Sequence, residues 1–369
     1  MRDIMNMKTD TKLIQDFQKR RNLKPSSMRQ YKTTFRKYKE YNKLSLVELL
    51  YEAETEEDQR IPQRRRTLLT RLLDFRNYIT KHYKKNYVKS TMTKIITLYT
   101  TYGLEIPKLP AQSEKNMNDT TPISYKDLPD KDIIEASLKI TTPLMKAIIL
   151  FMSSSGCART ETLHITIQDF IDSTKDYHNS NNIYSVIDTL RQRNDIVPTF
   201  KLKRQKTDRW YYTFCSPEAV NAILDYLISI KKPIRNDDRL FQYHEVTVCY
   251  KFQEINDELQ LGKKGTYNRM RSHMLRKFHA STLKNNGMSK EDINQMQGKG
   301  QNIVDESYFF DDPSVLRDKY IQHLPCLTID SSIRVKTELE EVKEENTKLK
   351  EMEKKLEVIF DKMEKLENQ

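Results

Sequence analysis

A polar stretch with three prolines, EIPKLPAQSEKNMNDTTPIS at residues 105–124, divides the sequence into two parts of different character. Such stretches commonly connect domains, because proline and polar residues neither continue a helix nor supply a core. The chain has 369 residues, and a single hydrophobic core rarely grows beyond about 250–300 residues. We therefore expect a linker at 105–124 and at least two domains.

The part before the linker carries the positive charge of the chain. Lys and Arg outnumber Asp and Glu by 64 to 52, which gives a formal net charge of +12 and a pI near 9.2. Residues 1–120 contain 26 of these basic residues and 14 of the acidic ones, so this part alone accounts for the excess. A basic block interleaved with tyrosines favours nucleic acid as the partner, and a solvated basic face is the alternative.

The same part has helical periodicity. Tyr31, Phe35, Tyr38 and Tyr41 recur at steps of four, three and three, and other segments of this part repeat apolar residues in the same way. The pattern predicts a basic bundle of four or five helices over residues 1–104. The side chains expected to contact phosphates, or else to be solvated, are Arg29, Lys32, Arg36, Arg64, Arg65 and Arg66.

The part after the linker mixes helix and strand patterns. Residues 199–203 alternate in polarity and residues 210–214 form an aromatic return strand, which predicts a β-hairpin with its turn near Lys206. NIYSVIDTL at 182–190 is also predicted to be a strand. Ser216 followed by Pro217 predicts the start of a helix. We expect a mainly α fold with a small β-sheet, of the α+β class, with this domain over 125–327.

The last segment, residues 333–369, has a heptad pattern of apolar residues among Glu and Lys. A helix as polar as this one is not stable alone, and we therefore expect a coiled coil. Asn346 at an a position favours two strands, whereas Glu353 at another a position weakens the seam and leaves folding back on the body as the alternative. The apolar positions are Val335, Leu339, Val342, Leu349, Leu356, Phe360 and Met363.

The four cysteines, Cys157, Cys215, Cys249 and Cys326, form no CxxC pair. This spacing argues against a zinc site and favours reduced thiols inside the cell. The sequence has neither a long apolar run nor a signal peptide, so we expect a cytoplasmic, nucleoid-associated protein without a membrane partner. We expect no metal and no other cofactor.

Two short stretches place basic residues near turns. SSSGCARTETLHIT at 153–166 puts Arg159 and Glu161 after a glycine turn, and LKRQKTDRW puts Lys206 at the predicted hairpin turn. Each of these alone is as typical of a surface residue as of a functional one.

Two later stretches add titratable groups at defined spacings. RSHMLRKFHAST puts His273 and Arg276 three residues apart on one helix face. QGKGQNIVDESYFF at 297–310 puts Tyr308 nine residues after Lys299. Each pair alone is common by chance, and the order of all four stretches is the informative feature.

That order resembles the catalytic set of the tyrosine recombinases, the phage-integrase family, and Ser154 to Glu161 is similar to the first arginine box of archaeal members. The resemblance covers about residues 10–325. It implies a helical, SAM-like core-binding domain followed by a catalytic domain. The residues that it implies for catalysis are Arg159, Lys206, His273, Arg276, Lys299 and Tyr308, with Glu161 in support.

The resemblance implies that double-stranded DNA is cleaved and rejoined through a 3′-phosphotyrosine on Tyr308, by four protomers on two duplexes. Two arginines suit the negative charge of the transition state, and a tyrosine with a free pKa of about 10 needs cations nearby. Lys206 is then expected to protonate the leaving 5′-oxygen, and His273 to share in proton transfer or bind a phosphate oxygen.

Three residues depart from the family pattern or leave a role open. Lys299 stands where the family usually has His or Trp, and a lysine donates to phosphate but cannot pack a ring on the tyrosine. We expect Glu161 to orient Arg159 or a helix end. Tyr320 is a second nearby tyrosine, but its spacing differs and its surroundings are more typical of a packing helix.

The tail favours an integrase or excisionase of a mobile element. A Xer-like resolvase of chromosome or plasmid dimers, a non-catalytic DNA-binding protein of the same fold, a type IB topoisomerase and a coiled-coil scaffold are the alternatives. In the family, the segment after the nucleophile often contacts a neighbouring protomer. We therefore expect residues 309–327 to dock onto a second copy.

Overall fold

The computed structural model describes residues 9–111, 123–300 and 312–336, together with 339, 343, 346–350 and 352. The chain separates into two compact units, Met1–Thr121 and Pro122–Gln369. The described residues are mainly helical with two small antiparallel sheets, so the predicted fold class is confirmed. None of the described helices is both long and apolar enough to span a membrane.

The first unit is a bundle of helices around an aromatic core. Thr9 caps the first helix, and Ser45 with Glu48 forms a capping box at the third. Tyr38 and Tyr99 are buried and their hydroxyls lie 3.1 Å apart, which satisfies both polar groups inside the core. The helices are α1 (Asp10–Arg20), α2 (Pro25–Asn42), α3 (Leu46–Asp58), α4 (Thr67–His82) and α5 (Lys85–Thr101).

The second unit surrounds a buried central helix with shorter helices and two hairpins. The elements up to the first hairpin are α6 (Lys131–Lys139), α7 (Pro143–Ser155), α8 (Arg159–Thr162), α9 (Ile167–Ser173), α10 (Ile183–Leu190), β1 (Thr199–Lys203) and β2 (Trp210–Phe214). The later elements are α11 (Pro217–Ser229), α12 (Glu245–Glu258), β3 (Lys263–Lys264), β4 (Tyr267–Asn268), α13 (Ser272–Asn285), α14 (Lys290–Met296) and α15 (Pro313–Leu327).

The strand predicted at 182–190 is wrong, because this segment is helix α10. Asn182 caps its first turn through a side-chain oxygen that accepts from the Tyr184 backbone N–H. Ile183, Val186, Ile187 and Leu190 are all buried, at a spacing that places them on one helical face. A short apolar run fits a strand or a helix equally well, and packing against the core decided between them.

Helix α7 organises the second unit. Every residue from Leu144 to Ser155 except Lys146 is buried, and the helix packs against α11 and α13. It ends at Gly156, which has a left-handed φ of 65°. The chain therefore leaves the core at Gly156, three residues before Arg159.

The β1–β2 hairpin pairs Thr199 with Phe214 and Lys203 with Trp210, as its alternation predicts. Phe200 and Leu202 face the core and the intervening lysines face solvent. The turn between the strands includes Lys206, so the hairpin carries this lysine away from the core.

Helix α15 packs on its own unit, and the expected docking of residues 309–327 onto a second copy stays a prediction. Tyr320 is fully buried and donates to the Ser154 carbonyl at 3.0 Å. Just beyond the helix, the backbone N–H groups of Ile329 and Asp330 donate to the Glu218 carboxylate. Residues 309–311 and most of the predicted coiled coil lie outside the described residues.

Candidate active site

Arg276 is held at the centre of the second unit by two backbone carbonyls. Its guanidinium donates to the oxygens of Gly156 and Gln297, both at 2.6 Å, and the residue is buried. Burial lowers its pKa, with Arg204 adding repulsion, but an arginine remains charged at neutral pH. The helix α13 thus presents a buried cation in a fixed orientation.

Gly156, His279 and Gln297 form the support of Arg276. A Cβ on Gly156 would lie 2.4 Å from His279 Nδ1, so only glycine fits there. His279 is fully buried, burial lowers its pKa to about 3, and its Nδ1 accepts from the Gln297 amide at 3.1 Å. The same amide donates to the Arg276 carbonyl at 3.1 Å. Sequence reasoning missed His279 and Gln297, although His279 lies one helical turn after Arg276.

Arg159 begins α8 and is held by two side chains of α12. Its Nη1 lies 2.6 Å from Cys249 Sγ, and its Nη2 lies 3.6 Å from a Glu245 carboxylate oxygen. Its Nε is buried and has no acceptor among the described residues. Cys249 and Glu245 come from a distant part of the sequence and had no motif to mark them. Cys249 and Glu245 hold Nη1 and Nη2 of the guanidinium, and Nε is left for the acceptor of an added anion.

Glu161 contacts the hairpin turn instead of Arg159. Its carboxylate lies 3.3 Å from Arg204 Nη1 and accepts from the Gln205 backbone N–H at 3.3 Å. Residues two apart on a helix point to nearly opposite sides, so Glu161 faces away from Arg159. Glu161 therefore orients the hairpin that carries Lys206, and not Arg159.

Lys206 lies exposed in the β1–β2 turn. Within the described residues its ammonium has no hydrogen bond or ion pair, whereas Arg204 two positions earlier is anchored by Glu161. The base of the turn is therefore fixed and its tip is free to reach a bound molecule.

His273 and Lys299 keep exposed surface beside the buried arginines. Partial burial of the imidazole, followed by repulsion from Arg271 and other cations, lowers the His273 pKa. Partial burial of the ammonium, followed by repulsion from Arg276 and Arg204, lowers the Lys299 pKa. Arg276 repels both His273 and Lys299, and Arg204 repels both Arg276 and Lys299, so the four side chains lie close together. We call Arg204, His273, Arg276 and Lys299 the cationic cluster.

The turn before Lys299 is shaped by a close approach of the backbone to the hairpin. Gly298 has a φ of 59°, and a Cβ there would lie 2.7 Å from the Tyr211 ring. The Lys299 backbone N–H donates to Asn294 at 2.9 Å, which closes the end of α14. The glycine thus lets the lysine sit between α14 and β2.

Comparisons with known proteins agree with this architecture. No protein-family model matches the sequence, and no curated protein matches it. The structure of XerH site-specific recombinase in a post-cleavage complex with palindromic difH substrate is similar, with a TM-score of 0.51 at 16% identity. That similarity covers 85% of this chain and 81% of the XerH chain. This chain has the tyrosine recombinase fold.

Two other recombinase structures are similar at lower TM-scores. A lambda integrase dimer bound to a core site matches with a TM-score of 0.48 and 9% identity, covering 82% of this chain and 97% of that one. XerA recombinase matches with a TM-score of 0.34 and 17% identity, covering 85% of this chain and 97% of that one.

In this tyrosine recombinase fold, the first unit presents most of its expected phosphate contacts to solvent. Arg29, Lys32, Arg36, Arg64 and Arg65 are exposed. Arg66 differs, because its guanidinium is buried against the Ile61 carbonyl at 2.9 Å and the carboxylates of Glu57 and Glu105 at 3.5 and 3.7 Å. We therefore remove Arg66 from the expected phosphate contacts.

The two tyrosines considered from sequence differ in how far the structure describes them. Tyr308 lies outside the described residues. Tyr320 is buried, and burial raises its pKa, so it is a poor nucleophile. Its hydroxyl is used in the hydrogen bond to Ser154.

Proposed function

We propose that this chain is a site-specific recombinase that cleaves and rejoins double-stranded DNA through a 3′-phosphotyrosine on Tyr308. The observation that carries the proposal is the cationic cluster. It brings together residues that lie up to 95 positions apart in the sequence. Two of its members, His273 and Arg276, match the family's motif, and Lys299 stands at the position where the family usually has His or Trp.

The cluster suits in-line attack on a phosphodiester. The transition state carries extra negative charge on its non-bridging oxygens, and fixed arginines stabilise that charge without reorganisation. Arg276 is fixed by two carbonyls, and Arg159 has an Nε without an acceptor in the part of the chain that the structure describes. Both are available to a phosphate bound between α8 and α13.

Lys206 is the proposed general acid for the leaving 5′-oxygen. It sits at the tip of a hairpin whose base is held by Glu161. A lysine in contact with a phosphate flanked by two arginines is poised to give up a proton as the oxygen leaves.

The exposed cations of the first unit are proposed to hold the DNA backbone. Arg29, Lys32 and Arg36 lie at spacings of three and four residues along α2, so they share one helical face. Phosphate contacts of this kind set position and orientation and carry no sequence information.

Integration or excision of a mobile element is the biological role we propose, with four protomers assembled on two duplexes. The support for this role is the heptad pattern of residues 333–369, an addition that a minimal resolvase does not need. A recombination assay between two plasmid-borne candidate sites, with and without residues 333–369, measures whether the tail contributes to synapsis.

A covalent trap tests the chemistry. The protein is mixed with a nicked suicide duplex carrying a candidate site, quenched in detergent, digested and analysed by mass spectrometry. We expect a nucleotide adduct on the Tyr308 peptide that disappears in Tyr308→Phe and persists in the matched control Tyr320→Phe. An adduct on another tyrosine, or tight binding without any adduct, contradicts the proposal.

A further inference from the structure

A cavity of about 400 Å³ lies beside the cationic cluster, between α12, the β3–β4 hairpin and the start of α13. Arg159, Lys263, Tyr267, Arg271 and His273 are among the residues that line it. No Asp or Glu is among its described lining residues. Three permanent cations therefore face this space, and the carboxylate paired with one of them, Glu245 with Arg159, is not among the lining residues.

Arg271 is held in place by an aromatic ring, and no acid among the described residues is paired with it. Its guanidinium carbon lies 3.8 Å from the centre of the Tyr267 ring, a close cation–π contact. Its Nε is buried without an acceptor among the described residues, as is Nε of Arg159, which also lines the cavity. Buried N–H groups without acceptors are uncommon, and at a cavity a bound anion is one group that supplies the acceptor.

The hairpin that carries Lys263 and Tyr267 is fixed from both ends. The buried Asn256 side chain donates to the Gly262 carbonyl at 3.3 Å and accepts from the Met270 backbone N–H at 3.0 Å. Arg269 donates to the carbonyl of Leu128 at 3.2 Å. These hydrogen bonds therefore fix the position of the hairpin at the cavity.

We propose that this cavity binds the backbone phosphate next to the scissile one, with Arg271 and Lys263 as its ligands. The inference rests on the proposed function, because it places the scissile phosphate at Arg159 and Arg276. Binding a second phosphate fixes the direction of the strand across the site. Arg271 is then a positioning residue that aligns the diester for in-line attack.

A small probe with two phosphates tests this without knowledge of the recombination sequence. Thymidine 3′,5′-bisphosphate carries two phosphates on one sugar, and thymidine 3′-monophosphate carries one. Titration calorimetry with the full chain is expected to show a preference of about tenfold for the bisphosphate, the effect of one charge-assisted contact.

Variants of the cavity decide the outcome. Arg271→Ala and Lys263→Ala are each expected to reduce the preference to about twofold, with Arg271→Lys intermediate because the planar fork is lost. Lys232→Ala, an exposed lysine outside the cavity, is the matched control and is expected to keep the full preference. Retention of the preference in both alanine variants overturns the inference, and Lys263→Ala decides alone if Arg271→Ala does not fold.

Competition with duplex DNA identifies the source of the phosphate. A 30-base-pair duplex is expected to displace the bisphosphate from the wild-type chain, since the cavity is assigned to the DNA backbone. Failure of saturating duplex to displace it indicates a free-nucleotide site and overturns that assignment. An absent Tyr308 adduct alongside an Arg271-dependent preference refutes the recombinase reaction and not the two-phosphate site, so the two failures are distinguishable.

Discussion

The two units of this chain hold their basic side chains in opposite ways. In the first unit, Arg29, Lys32 and Arg36 lie exposed along α2, and within the described part of the chain their one ion pair is a loose contact of 3.9 Å from Arg36 to Glu40. In the second unit, Arg276 and Arg159 are held by protein acceptors on one side. The first arrangement supplies charge, and the second supplies charge at a fixed position.

This difference separates two contributions to DNA chemistry that net charge alone confuses. Residues 1–120 carry the excess positive charge, whereas residues 121–332 have 29 basic and 27 acidic residues. The nearly neutral unit nevertheless contains the cationic cluster. Affinity for a polyanion follows the amount of exposed charge, while catalysis follows the fixed orientation of a few groups.

The largest effect is expected for Arg276→Lys. A lysine keeps the charge but cannot donate to the Gly156 and Gln297 carbonyls while also presenting a fork to phosphate. We expect covalent complex formation to slow by about 10³-fold, with equilibrium DNA binding changed by less than about threefold. The matched variant Arg29→Ala is expected to weaken equilibrium DNA binding and to leave the rate of covalent complex formation nearly unchanged. A rate within tenfold of wild type for Arg276→Lys would remove the cluster from the reaction centre.

A smaller effect is expected for Glu161→Gln, which weakens the anchor of the hairpin turn. Loss of the Arg204 ion pair lets the turn move, and we expect cleavage to slow by about 10²-fold, as for loss of a general acid. A substrate with sulfur in place of the bridging 5′-oxygen needs no proton on leaving. It should restore the rate of Glu161→Gln and of Lys206→Ala, but not of Arg276→Lys. No restoration for either hairpin variant contradicts the role of Lys206.

The sequence predicted regular elements better than it predicted the contacts around the site. The helices of the first unit follow from the spacing of Tyr31, Phe35 and Tyr38, because one periodic face is enough to specify a buried stripe. The 182–190 segment failed because a short apolar run has no distinguishing period. Local patterns contain the element, and tertiary packing decides the ambiguous cases.

The supporting residues of the site were beyond local patterns. Gln297 and His279 act on Arg276, and Glu245 and Cys249 act on Arg159, through contacts between distant elements. The resemblance to a family predicted the residues expected to contact the substrate, but not the residues that hold those side chains in place. Only the packing of α7, α12 and α13 brings them together.

The buried histidine predicts an acid-sensitive core in the second unit. His279 is neutral when folded because burial lowers its pKa from 6.5 to about 3. Below pH 6.5 the unfolded chain binds a proton that the folded chain does not, so stability is full above pH 6.5 and falls as the pH decreases towards 3.

Hydrogen exchange of helices α7 and α13 at increasing urea concentrations measures unfolding of this unit. Urea midpoints are expected to fall between pH 6.5 and 4.5, with a slope for this one group approaching about 1.4 kcal/mol per pH unit. In His279→Gln the free energy of unfolding should depend less steeply on pH, by up to about 1.4 kcal/mol per pH unit, which corresponds to one proton. Equal slopes in the two proteins contradict a neutral, buried His279.

The smallest effect expected separates two neighbouring arginines of the first unit. Arg66 is buried and paired with Glu57, so Arg66→Ala should destabilise this unit by about 1–3 kcal/mol, because it removes the packing of a buried side chain together with its contacts to the Ile61 carbonyl and to Glu57. Arg64 is exposed, so Arg64→Ala should change stability by less than about 0.5 kcal/mol.

DNA binding should reverse the order of these two variants. Loss of one phosphate contact in Arg64→Ala should reduce the slope of log K against log salt by about 0.9, while Arg66→Ala leaves the slope unchanged. Hydrogen exchange of α4 measures the stability of the first unit, and fluorescence anisotropy at several salt concentrations measures the slope. If both variants change the same quantity, burial does not divide the basic residues of this unit into structural and DNA-binding ones. The contrast between supplied and positioned charge would then hold only between the units, and not within the first.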